Sequence, residues 1–185
     1  MFGTLASSRR MISWIETEFR RYKEMGEGAI AQLGPDQLVV RASPQSLSIA
    51  TVVWHVAGNL TSRFTDFLTT DGEKPWRNRE SEFEERNVGR KELLEKWEGG
   101  WSALFAALDP LTDEDLERTV SVRGVPLTVG EALLRALGHV SYHVGQITFF
   151  GKVLRGPAWE YLTIPPEGTD AYNQSPTKEK GPSAQ

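Results

Sequence analysis

Cysteine is absent from the 185-residue chain, which removes disulfides, thiolate nucleophiles and every cysteine-based zinc site, and fits a reducing compartment. Histidine is nearly as scarce. With three copies in all, any site built from imidazole must draw on His55, His139 and His143. No stretch approaches the ~20 apolar residues that span a bilayer, so no membrane segment is expected. Basic residues are outnumbered, 21 Lys and Arg against 25 Asp and Glu, for a net charge of -4 and a pI near 5.5. The concentrated basic face of a nucleic-acid groove is therefore missing. Met1-Phe2-Gly3-Thr4-Leu5-Ala6 leads into Arg9 and Arg10 instead of a long apolar core, so no signal peptide is expected. There is no internal repeat. These exclusions point to a soluble, cytoplasmic protein.

The 39% apolar and 25% charged content is ordinary for a globular domain. One domain over residues 1–169 is expected, with a Pro-, Ser-, Lys- and Glu-rich tail at 170–185 that is loosely held. Four long segments carry helical periodicity. In the first, Ile12, Ile15, Phe19, Tyr22, Gly26, Ala29 and Leu33 share one stripe, and Gly34-Pro35 is expected to stop it with a left-handed glycine cap. The second, residues 48–68, turns Val52, Val56, Leu60, Phe64 and Phe67 inward behind Ser48 as N-cap. The third, residues 90–108, buries Leu94, Trp97, Trp101, Leu104 and Leu108. Its Gly99-Gly100 pair either weakens the helix or admits a close neighbour. The fourth opens on a Thr128/Glu131 capping box and runs to Gly156-Pro157.

Between the second and third helices lies a polar stretch of about 20 residues, with turn signals at Asp71-Gly72 and Lys74-Pro75 and capping-box spacing at Ser81-Glu82-Phe83-Glu84. Residues 119–125 alternate around Arg123-Gly124, as in a hairpin. Four amphipathic helices without a strong strand run predict an all-α antiparallel four-helix bundle. Helix connections usually span 2–8 residues, so the long link predicts a crossover between helices 2 and 3.

His139 and His143 stand four residues apart in the fourth helix, on one face. Two imidazoles so placed can grip one metal ion, and His55 from a facing helix would complete a three-nitrogen site with a position left for water or substrate. The alternative is a set of core or partly exposed histidines satisfied by hydrogen bonds. A polar ring on every turn of an apolar helix is costly to bury without a partner, which weakens that alternative without removing it. Val140 stands where the H-E-x-x-H motif requires glutamate, so a zincin-type peptidase is disfavoured.

Three stretches carry a family resemblance: His55-Val56-Ala57-Gly58-Asn59-Leu60-Thr61-Ser62-Arg63, Asp71-Gly72-Glu73-Lys74-Pro75-Trp76-Arg77, and His139-Val140-Ser141-Tyr142-His143-Val144-Gly145-Gln146-Ile147. Over about residues 7–165 the chain resembles the DinB/YfiT-like bacterial metalloproteins, in a branch described as a domain of unknown function. The resemblance implies a bundle with one crossover, a homodimer, and zinc, nickel or a similar divalent ion on His55, His139 and His143. It also implies kinship with thiol-dependent transferases and an isomerase that use low-molecular-weight thiols such as bacillithiol or mycothiol.

Asn59, four residues after His55, and Gln146, three after His143, each share a face with a ligand and are candidates to orient a ring or a substrate. Arg63, Arg77 and Arg79 with Trp76 form either a rim for an anion or, with Glu80, Glu82, Glu84 and Glu85, a solvated face. Tyr142 points off the ligand direction, and Ser62 has no base beside it. A metal-dependent transferase or hydrolase acting on a small molecule is the leading expectation. A non-catalytic metal- or ligand-binding bundle with a stress-related role is the alternative, and an empty structural dimer a third.

Overall fold

The computed structural model of the protein describes residues 8–177. The signal-peptide reading of residues 1–6 and the tail at 178–185 lie outside that range. The long helices are α1 (Arg10–Ala31), α3 (Ile49–Phe64), α4 (Arg90–Leu108) and α5 (Val129–Arg155). The short ones are α2 (Pro35–Val39) and α6 (Thr169–Gln174), and β1 (Thr119–Val122) pairs with β2 (Val125–Thr128) in an antiparallel hairpin.

Local signals explain most boundaries. Ser48 Oγ accepts the Thr51 N–H at 3.1 Å to open α3. Thr128 and Glu131 cap each other's backbone to open α5, at 2.7 and 3.1 Å. Arg123 and Gly124 both have positive φ, 56° and 72°, as the two-residue hairpin turn requires. One expectation needs correcting. Gly34 has φ -71° and is no left-handed cap. It is instead the N-cap of α2, with Pro35 at the first helical position, where its missing N–H costs nothing. Within the stretch read as loosely held, Thr169–Gln174 forms a helical turn and a half.

α1 packs on α4 and α5, and α3 packs on the same two. Between them sits a core of fully buried side chains led by Phe19, Trp97 and Trp101. Lys96 lies over the Trp54 ring, and Gly100 abuts Ala57, so α3 and α4 run the same way. A Cβ at Gly100 would sit 2.6 Å from Ala57 Cα, whereas one at Gly99 would meet open space. Gly100 is thus the point of close approach and Gly99 is not.

Because α3 and α4 are parallel neighbours, residues 65–89 must carry the chain back along the bundle. Asp71 fastens this return. Its carboxylate accepts from Ser121 Oγ (2.6 Å) and from the backbone N–H of Glu73, Arg123 and Gly124 (2.7–2.8 Å). Those bonds, Ser121 first, hold its pKa well below the usual carboxylate range. Ser62 Oγ donates to Gly72 O at 2.7 Å, which pins the link to α3. Among the described residues, no helix is long and apolar enough to cross a membrane.

Candidate metal centre

His55 sits mid-way along α3, while His139 and His143 occupy successive turns of α5. Phe64 lies near Ala132 and Val52 near Ile147, so α3 and α5 are antiparallel and their histidine faces oppose. One nitrogen from each ring falls within 4.8 Å of the others. His55 Nε2 and His139 Nε2 are 3.1 Å apart. The three rings are mutually near-perpendicular, with centroids 4.6–5.1 Å apart. The chain thus brings together the three residues that its sequence singles out.

The outer nitrogens determine the tautomers. His55 Nδ1 is 2.9 Å from Glu82 Oε2; the carboxylate only accepts, so Nδ1 holds a proton and Nε2 is the nitrogen turned toward His139. His143 Nδ1 likewise donates to Gln146 Oε1 at 2.8 Å, which leaves its Nε2. Such outer bonds orient ligating imidazoles and raise their basicity. His139 Nδ1 is buried and finds no hydrogen-bond partner among the described residues. Burial, then the neighbouring His143, His55, Arg77 and Arg63, pushes the His139 pKa down to about 3. Burial also lowers that of His143, against the Gln146 bond that raises it. Neutral imidazole is the ligating form, so this donor set fits a borderline-soft divalent ion.

In sequence, Glu82 belongs to the acidic residues that, on one of the two readings of this stretch, share a solvated face with the arginines. In the structure it is 6% exposed and lies on the 3-10 turn Glu80–Phe83. Arg77, its side chain 3% exposed, grips both carboxylate oxygens at 2.8 and 2.9 Å. Burial raises the Glu82 pKa, but the His55 and Arg77 bonds and the Arg77 charge outweigh it, and the group stays ionised below its ordinary range. Gly58 makes room for it, since a Cβ there would come within 2.7 Å of Glu82 Cδ. A glycine inside a helix, three residues after a candidate ligand, is the sequence signal that marks this approach. Phe83 covers the other side of His55 at 4.6 Å.

A cavity of about 200 Å³ opens beside His55 and His139. Asn59 lines it, whereas Gln146 serves His143 from outside it. Arg63, Arg77 and Arg79 reach the cavity, while Trp76 is 58% exposed and does not. Tyr142 is exposed and lies edge-on to His143. Ser62, committed to Gly72, is no nucleophile.

The family model described as "Protein of unknown function (DUF1572)" matches residues 6–168. Two solved structures share the fold at 18% identity and a TM-score of 0.58. One is a DinB-like protein from Bacillus cereus, aligned over 75% of this chain and 89% of that one. The other is a conserved protein from Enterococcus faecalis, aligned over 80% and 98%. No curated protein matches the sequence.

Proposed function

This chain belongs to the family of proteins of unknown function DUF1572, and from that premise we propose a divalent-metal-dependent enzyme acting on a small molecule by thiol transfer or hydrolysis. One observation carries the reading: three imidazoles, two with their outer nitrogens tied back, converge at one end of a cavity. His55, His139 and His143 would hold the ion, with zinc and nickel the first candidates for an all-nitrogen set. When bound, such an ion supplies Lewis acidity, lowering the pKa of a water or thiol toward ~7.

The chain's own residues prepare that role. Glu82 keeps the His55 proton on Nδ1 and places negative charge behind the ligand, and Arg77 keeps Glu82 in place. Phe83 shields one face of His55 from water. With no cysteine in the chain, a thiol nucleophile would have to arrive as a small-molecule cofactor. A second reading, a non-catalytic metal- or ligand-binding bundle, is favoured by one feature: among the described residues, no carboxylate lines the cavity to serve as a general base.

We also propose a cytoplasmic homodimer. Leu134, Tyr142, Phe149 and Val153 form an exposed apolar strip on α5 that would suit a second copy. A screen of the metal-loaded protein for thiol transfer and ester hydrolysis tests the enzyme reading. Thiol- or metal-dependent turnover supports it; full metal occupancy with no turnover in either class favours the binding reading.

A further inference from the structure

We infer that the cavity beside the histidines is a subsite for an anionic oxygen group, carboxylate or phosphoryl, on the small molecule that the site takes. The inference rests on the metal reading of the three histidines and adds the substrate's charge. Five arginines line the cavity, Arg63, Arg77, Arg79, Arg123 and Arg135, and among the described residues no aspartate or glutamate does.

The nearby carboxylates do not saturate these groups. Glu73 Oε2 alone is shared by Arg63 Nη1 (3.2 Å), Arg77 Nη1 (3.6 Å) and Arg123 Nε (3.1 Å). Glu82 is shared between Arg77 and His55, and Arg79 meets Glu80 at the surface. Arg63 Nη1 and Arg77 Nη1 are buried, and among the described residues each has only its ion pair with the shared Glu73 oxygen. Among the described residues, no ion pair engages Arg135. Burial holds the Arg63 pKa below its ordinary value against the pull of Glu73, with smaller lowering contributions from the Arg77 and Arg123 charges. Guanidinium forks match the geometry of carboxylate and phosphate oxygens.

The helices align this charge with the histidines. His55, Asn59 and Arg63 follow one another at four-residue steps along α3, and Arg135, His139 and His143 do so along α5. Since the two helices are antiparallel, both arginines lie on the same side of the imidazoles. The offset of four to eight residues is about 6–12 Å of helix. A molecule with its reacting end at the histidines and an anionic end at the arginines fits that span. The competing account gives these arginines only a structural task, tying residues 65–89 to the hairpin through Glu73.

Calorimetric titration of the full chain with inorganic phosphate, succinate and the neutral succinamide separates the two accounts. We expect saturable binding of phosphate or succinate and none of succinamide, with the tighter anion identifying the group. Affinity should fall about tenfold in Arg135→Gln, an exposed position where folding is not at stake. Absence of saturable anion binding, or equal affinity in Arg135→Gln, overturns the inference. Metal content of the same samples is read separately. Metal without anion binding defeats this inference alone, and anion binding without metal defeats the metal reading while leaving an anion subsite.

Discussion

Glu82→Gln probes the part of the site that lies furthest from the histidines in sequence. The amide has the same shape but only one acceptor oxygen, and its NH2 must face a donor on either His55 or Arg77. At least one of the three bonds at 2.8–2.9 Å is therefore lost. Arg77, 3% exposed, is left with Glu73 at 3.6 Å. Removing one partner of a buried ion pair costs about 3–5 kcal/mol. The retained carbonyl keeps one or two of the three bonds, so we expect roughly 2–3 kcal/mol for the metal-free protein. Loss of such an outer partner also weakens metal binding by about 10–100-fold. Urea unfolding followed by far-UV circular dichroism measures the first effect, and competition with a chromophoric chelator the second. Wild-type stability together with metal affinity within about twofold of wild type would refute the role assigned to Glu82.

Gly100→Ala should destabilise by about 1–3 kcal/mol through overpacking against Ala57, whereas Gly99→Ala should stabilise by up to ~1 kcal/mol; unfolding midpoints check the contrast, and equal effects would contradict the packing of α3 on α4. His139 and His143 have lowered folded-state pKa values, His139 near 3. The unfolded chain takes up protons there below its ordinary value of about 6.5, so metal-free stability should be full above that pH and fall as pH drops toward 3. Glu82, depressed in the fold, adds a loss in the same direction below about pH 4.5, and a urea midpoint unmoved between about pH 7.5 and 5.5 would contradict the burial of these rings. Light scattering should give about twice 20.7 kDa for the proposed dimer, and a mass near 20.7 kDa would contradict it.

What was legible in the sequence was what short-range chemistry writes there. Ser48, Thr128 with Glu131, and Arg123-Gly124 mark boundaries through bonds and dihedrals within four residues, and the structure uses each as read. The pair His139 and His143 was visible because helical spacing alone puts them on one face. Glu82 was not. In a polar link a glutamate resembles its solvated neighbours, and only the return of residues 65–89 along the bundle lays it against His55, 27 residues away. Gly34-Pro35 misled for a related reason: the same dipeptide can end one helix or start the next, and the Gln37 side chain that caps Gly34 N–H at 2.9 Å decides for the start of α2. The arginines remained ambiguous until the fold separated Glu82, turned inward, from Glu80 at the surface.

The central claim is that His55, His139 and His143 hold one metal ion. Elemental analysis by mass spectrometry of protein purified without a histidine tag tests it most directly, with His139→Ala alongside. Alanine favours the helix, so circular dichroism should be unchanged. The account predicts close to one divalent ion per chain in the unmutated protein and little in the variant. A wild-type chain that takes up no metal when supplied with zinc or nickel, or a variant that keeps full occupancy, would contradict it.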